Sequence, residues 1–313
     1  MQRIGGSTVA YMTKPMGYVA VIVLSFLLKR AGWFTESDRK ALSKIMINIT
    51  LPCAIVQAFS GMTVGAEMFI VAGIGFVFAL LPVVLMYLTT NGVEKSLRAY
   101  RMINIGGYNI GCFSVPLLSA FFGSTGVAYA CLFDIGNAIV MTGGVYAVTS
   151  TLLKTGGDKR EGPGEILMKF LRSAPFDTYL ALLALGIAGI ELPQALFTLT
   201  QPAGQANGFL AMFIIGLMFE PSGSPQQFRE AARELSIRYA LAIVFALSIY
   251  FFTPFDLMVR RILAIVCFAP LSSLAPVYTD QCHSDVALAG FTNSVSIAIS
   301  LVCMLGLSMA FVA

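Results

Sequence analysis

Polar positions along this chain gather into short clusters. Between them run apolar blocks at 16–32, 41–60, 68–90, 99–122, 126–150, 175–191, 197–219, 235–253, 257–279 and 285–310. A helix rising about 1.5 Å per residue needs about 20 apolar residues to cross a bilayer core, with about 17 as the lower bound. Every block meets that bound. The pattern predicts an all-α polytopic membrane protein with ten transmembrane helices, and little sequence remains between the blocks for a soluble catalytic domain.

The longest polar insert, "KTGGDKREGPGEILMKFLRS" at 154–173, combines Gly, Pro and mixed charge as linkers do. It divides the spans five and five. An odd number per half makes the second half enter the membrane the other way up, which is inverted-repeat topology. The expected organisation is a first repeat at 1–153, a cytoplasmic linker at 154–174 and a second repeat at 175–313. Pro116 in span 4 and Pro276 in span 9 set the offset between the halves. Moving the first five spans by that separation gives starts near 176, 201, 228, 259 and 286, against 175, 197, 235, 257 and 285 from hydropathy. Residue identity between the halves is faint, so the symmetry is one of architecture.

The two offset-related spans share a second property. Span 4 carries Gly106, Gly107, Asn109, Gly111, Ser114 and Pro116 at its middle, and span 9 carries Pro270, Ser272, Ser273 and Pro276. Proline removes a backbone donor and glycine relaxes the chain. In hydrocarbon such backbone survives only when buried in protein or lining a cavity. Interrupted helices at matching places of inverted halves point to a substrate site near the midplane. A plainer alternative is a pair of proline kinks, with Gly107-x-x-x-Gly111 serving close helix packing. The glycines do not follow G-x-G-x-x-G and no strand is expected before them, so a nucleotide loop fits poorly.

Composition agrees with the block pattern: 57% hydrophobic and 12% charged, with mean hydropathy +0.81. Charge placement adds orientation. With the N-terminus outside, the connections after spans 1, 3, 5, 7 and 9 carry sixteen Lys and Arg on the cytoplasmic side, among them Arg229, Arg233 and Arg238. Arg3, Lys14, Arg260 and Arg261 fall outside. The positive-inside rule then places both termini on the non-cytoplasmic side. The basic loops read as topology signals, not as a nucleic-acid surface. The first fifteen residues are too polar for a signal-peptide core, and span 1 reads as retained. Cys53, Cys112, Cys131, Cys267, Cys282 and Cys303 lie in or beside apolar spans without a C-x-x-C, which suits buried thiols. The N-x-T at Asn48 falls inside span 2 and is discounted as a glycosylation site.

"NIGGYNIGCFSVPLL" (104–118) resembles the broken fourth helix of the auxin efflux carrier family. "LSKIMINITLPCAI" (42–55) is similar to that family's second helix. "LFDIGNAI" (132–139) and "HSDVALAGFTNSVSIAIS" (283–300) are similar to the fifth and last helices of its microbial members. The resemblance covers essentially the whole chain, and the order and spacing of the motifs carry it. It implies two inverted five-helix repeats, with helices 4 and 9 broken and crossing at their prolines, a plan shared with bile-acid:sodium symporters. It further implies a scaffold of spans 1, 2, 6 and 7, often dimeric, and a transport bundle of spans 3–5 and 8–10. The substrates implied are organic anions, malate or malonate in microbes, and the location implied is a bacterial inner membrane. Plant carriers usually place a carboxamide before the helix 9 proline. Here "PLSSLAP" has Ser272 and Ser273 instead, and plant auxin specificity is not carried over.

These considerations select Asn109, Gly107, Gly111, Ser114, Pro116, Ser272, Ser273 and Pro276 as candidate substrate contacts. Asn109 leads, because a carboxamide can donate to a carboxylate, with opened amides and a half-helix N-terminus beside it. Asp134 is the one acidic residue the blocks place deep in the membrane, and Asn137 shares its helical face. Intramembrane carboxylates face the bundle interior. Two roles stay open for Asp134: a proton or sodium coupling site, or a structural carboxylate bonded to the broken helix. Asn293 and Ser294 stand in the corresponding region of span 10, as coupling groups or as polar interhelical glue. Arg101, Arg260 and Arg261 lie near span ends and are expected to snorkel. His283 reads as a loop residue, Glu220 as solvated, and 225–238 as an amphipathic surface helix. No metal site and no cofactor is expected.

The function expected is secondary active transport of a small organic anion by alternating access. The alternatives are a ligand-binding sensor on a transporter-like fold and a sodium- or proton-coupled carrier of another solute. An intramembrane enzyme fits poorly, since H-E-x-x-H, G-x-S-x-G and paired intramembrane aspartates are all missing.

Overall fold

Apolar periodicity becomes helix throughout the computed structural model, which describes residues 4–59, 65–155, 173–219 and 223–312, with side chains from 16 to 311. Most of the linker and Glu220 lie outside the described residues. In chain order the helices are α1 (Ile4–Arg30), α2 (Glu36–Ile45), α3 (Leu51–Ala58), α4 (Ala66–Thr89), α5 (Lys95–Ile105), α6 (Val115–Ile139) and α7 (Val145–Leu153). They continue as α8 (Ala174–Ile187), α9 (Gln194–Met218), α10 (Pro225–Phe252), α11 (Leu257–Val266), α12 (Ala275–Gln281) and α13 (Val286–Val312). Short π-helical turns at Met46–Thr50, Ile110–Ser114 and Val140–Gly144 join α2 to α3, lead into α6 and join α6 to α7. No strand occurs among the described residues.

Among the described residues, five stretches are long and apolar enough to cross a membrane: Glu36–Ala58, Ala66–Thr89, Ile110–Leu153, Pro225–Phe252 and Val286–Phe311. This is a helical membrane protein. The third stretch turns at Gly123, which has a positive φ. Glycine tolerates that conformation because it has no Cβ to clash. Gly143 departs from helical backbone again before α7, so the stretch is divided at both glycines.

Two boundaries differ from the hydropathy blocks. α1 begins at Ile4 and not near 16, because a helix continues through polar residues that an apolar window rejects. α10 begins at Pro225 and not near 235. There the Gln227 amide donates to the Ser224 hydroxyl, while the Gln227 side chain accepts from the Ser224 amide. This is a reciprocal cap, and Pro225 occupies the first turn behind it. The segment 225–238 is therefore the first half of one continuous helix.

Small residues allow the closest approaches. A side chain at Gly136 would run into the Ala72 carbonyl, and one at Gly75 into the Phe133 carbonyl. α4 and α6 thus pack backbone to backbone, as small residues permit in membranes. α9 packs against α1 and α3. Gly216 abuts Ile22 and Ser25, Thr50 donates to Asn207 at 3.0 Å, and Gln57 donates to the Phe197 carbonyl at 2.6 Å. The six cysteines are free thiols, with Cys131, Cys267 and Cys282 buried.

Candidate functional site

Helix α5 ends at Ile105 and helical backbone resumes at Ile110; α11 ends at Val266 and α12 starts at Ala275. These are the two glycine- and proline-rich interruptions, and they touch. The Asn109 amide donates to the Pro270 carbonyl at 2.9 Å. Pro276 occupies the first turn of α12, where a missing N–H costs nothing, and Pro116 follows directly on the π-turn Ile110–Ser114. Gly107 has a left-handed φ, and a side chain there would collide with Met141.

Loose backbone where two interruptions meet must find partners. Asn137 on α6 supplies two: its Oδ1 accepts from the Tyr108 amide and its Nδ2 donates to the Tyr108 carbonyl, both at 2.9 Å. The same Nδ2 donates to Asp134 Oδ1 at 2.8 Å, and Tyr179 Oη donates to Asp134 Oδ2 at 3.3 Å. Asp134 thus lies behind Asn137, one hydrogen bond removed from the break. In the second interruption the Leu271 amide donates to Ser296 Oγ at 3.2 Å, and Ser296 donates onward to the Asn293 carbonyl at 2.7 Å.

The largest contribution comes from Arg238 on α10, which is only 5% exposed. Its guanidinium donates to the carbonyls of Ile105 at 2.7 Å, Gly107 at 2.8 Å and Ala269 at 3.0 Å, with Pro270 at 3.4 Å. It also stacks over the Tyr108 ring, 4.8 Å from its centroid, an attractive cation–π placement. The carbonyls come from both interruptions, at the negative ends of α5 and α11, where a cation is favoured. Arg238 joins the two breaks. Its expected place in a cytoplasmic loop is corrected here, and the reason is the continuous helix from Pro225. Burial also corrects the expectation for Arg101: it is enclosed, and its Nη2 donates to Glu230 at 2.8 Å instead of snorkelling. Glu234, one turn before Arg238, is buried as well, so Asp134 is not alone among acidic residues inside the helical body.

The candidate substrate residues fall as follows. Asn109 is 6% exposed, and its carboxamide makes no hydrogen bond to another described residue. Ser114 Oγ is buried without a partner among the described residues. Gly111 lies in the π-turn against Leu51. Ser272 is buried and accepts from the Leu274 amide, and Ser273 is half-buried beside it. Ser294 donates to the Gly290 carbonyl at 3.1 Å and to the Met218 carbonyl at 3.5 Å, tying α13 to the end of α9. Asn293 Oδ1 is buried and unpartnered among the described residues.

A polar cleft of about 590 Å³ leads to Pro116 from one side, between α1, α3 and α9 and the arm around Gly123. Tyr18, Gln57, Ser119, Ser124, Gln201 and Gln205 line it. Sequence reasoning does not single these out, because isolated glutamines in apolar spans carry no spacing signature. Arg238 had a readable signal: Glu230, Glu234 and Arg238 repeat at four residues behind the Ser224–Gln227 cap, which marks one helical face. Among the described residues no group of three or more His, Cys, Asp or Glu converges as metal ligands would.

Comparison with known families and characterised proteins gives no match: no family model and no curated protein sequence aligns with this chain.

Proposed function

We propose that the protein is a secondary transporter of the auxin efflux carrier type, moving a small organic anion across the membrane by alternating access. In this reading ten spans form two inverted repeats. The helices around α1, α3, α8 and α9 act as scaffold, the remainder move against them, and the polar cleft is the entry path. The observation that carries it is the direct bond between the two interruptions, Asn109 amide to Pro270 carbonyl, with Arg238 bound to both.

Charge favours an anion. Arg238 covers carbonyl ends of both breaks. The helical backbone that starts at Ile110 has first N–H groups without an intrahelical acceptor, as every helix start does. Asn109 and Ser114 stand beside them with unspent hydrogen-bonding capacity. A carboxylate there meets amide and hydroxyl donors, a half-helix N-terminus and a nearby full positive charge. Malate and malonate are the first candidates, given the microbial resemblance.

The test is uptake of labelled malate and malonate into sealed proteoliposomes, with and without imposed proton and sodium gradients. Saturable uptake by the wild type, lost in Asn109→Ala with an unchanged melting temperature, is the expected result. Binding without flux would replace the transporter with a sensor, and neither binding nor flux across mono- and dicarboxylates would remove the anion reading.

A further inference from the structure

Two carboxyl groups lie inside the helical body near the breaks, and their surroundings differ. Asp134 accepts from Asn137 and Tyr179, so its charge is met by donors. Glu234 is 1% exposed, and its Oε1 accepts no hydrogen bond from any described residue. Arg101, a cation near it, bonds Glu230 through Nη2, while its Nε and Nη1 make no hydrogen bond to a described residue. Arg238, one turn further along α10, gives both its Nη groups to the carbonyls of the two breaks. The charged and titratable groups around Glu234 are Arg101 and Tyr100 from α5 and Glu230, Arg233 and Arg238 from its own helix. Tyr100 bonds Thr292 of α13, and Asp285 precedes that helix.

From this juxtaposition we propose that Glu234 is the proton-binding site of the carrier, and that its protonation is linked through Arg238 to anion binding at the crossing. The inference rests on the transport reading above and names the coupled ion and its residue. A buried carboxylate with no donor is a costly group, and taking a proton from water removes that cost. The proton's arrival also changes the crossing. With Glu234 ionised, the glutamate and Arg238 one turn away sum to zero charge. With Glu234 neutral, the charge of Arg238 is uncompensated beside the sites of Asn109 and Ser114. An anion then binds more tightly, and by reciprocity a bound anion holds the proton more tightly. The sign follows: anion affinity rises as pH falls.

Two measurements test it. The first is infrared titration of the ligand-free protein in lipid. All carboxyl groups add C=O intensity as pH falls, so the reading is a difference: one band that grows on acidification is expected in the wild type and in Asp134→Asn and is expected to be missing from the titration of Glu234→Gln, whose side chain mimics the neutral acid in shape. The second is malonate and malate binding across pH. The wild type should gain up to about tenfold in affinity per pH unit on acidification, the limit for one linked proton. E234Q should bind with the tight low-pH affinity at every pH. A band that survives in E234Q, or a pH slope in E234Q equal to the wild type's, overturns the assignment. If the band belongs to Glu234 but no mono- or dicarboxylate binds the wild type at any pH, the parent reading fails and the linkage falls with it. A band unchanged by E234Q defeats the site alone.

Discussion

Removing the Arg238 guanidinium is the most informative perturbation of the crossing. In Arg238→Ala three carbonyls, those of Ile105, Gly107 and Ala269, lose donors at 2.7, 2.8 and 3.0 Å. Hydrogen bonds to a charged group contribute about 1.5–3 kcal/mol each, so the gross loss is about 5–9 kcal/mol. Two effects offset part of it. Water entering the vacated space rehydrates some carbonyls, and the variant no longer carries the cost of burying a guanidinium. The net expectation is about 3–5 kcal/mol, the usual result of deleting one partner from a buried charged set. Arg238→Lys keeps the charge but offers a compact ammonium in place of a planar fork, and cannot span carbonyls from both breaks equally well. It should lose roughly half as much. Arg233 lies on the exposed side of the same helix. Arg233→Ala should therefore be close to neutral, as surface substitutions away from special features are. The assay is thermal unfolding in detergent, followed by a thiol-reactive fluorophore, because buried free cysteines such as Cys131 and Cys267 become reactive only on unfolding. If R238A melts with R233A, the guanidinium does not hold the breaks together and the geometry assigned to the crossing is wrong.

Asn137→Ala strips both hydrogen bonds from the Tyr108 backbone. Each buried group left unsatisfied costs about 1–3 kcal/mol, so the same melting assay should show a clear loss of stability; a melting temperature equal to the wild type's would show that Tyr108 finds other partners. Ser124→Cys in a background with the native cysteines replaced should react with an impermeant thiol reagent from the non-cytoplasmic side only, and malate should slow the reaction. Labelling from the cytoplasmic side instead would invert the orientation expected from the basic loops.

Helices overlie the apolar blocks, and the interruptions fall where glycine and proline cluster, because both follow from local chemistry: chain length against bilayer thickness, and backbone conformations that only certain residues adopt. The partners of the loosened backbone were partly legible. Asn137 was reachable from its spacing to Asp134, whose carboxylate it meets directly, with Tyr179 as the second donor. Arg238 and Glu234 were passed over despite a readable spacing, because a hydropathy window treats each charge as solvent-facing and so begins span 8 near 235, whereas the helix begins at Pro225. The Ser224–Gln227 cap and the four-residue spacing of Glu230, Glu234 and Arg238 show that local signals outrank the average there. The cleft glutamines could not be found at all. Gln57 and Gln201 lie far apart in the chain, and only the packing of α3 against α9 brings them to one wall.

The crossing also revises what would hold a solute. Broken helices suggest free main chain as the ligand, yet much of this main chain is already committed. Carbonyls of Ile105, Gly107 and Ala269 go to Arg238, both Tyr108 groups to Asn137, the Asn109 amide to Pro270 and the Leu271 amide to Ser296. The commitment is uneven, and the unevenness has a sign. Carbonyls at the closing ends of α5 and α11 are bound by a cation, while what stays open is the opening turn after Asn109, the Asn109 carboxamide and the Ser114 hydroxyl. On the proposed transport reading, selectivity for an anion over a cation follows from which half of the loosened backbone the protein has covered. Placing a neutral side chain such as methionine at position 238 should therefore weaken anion binding more than it weakens the binding of any neutral solute that enters the same cleft.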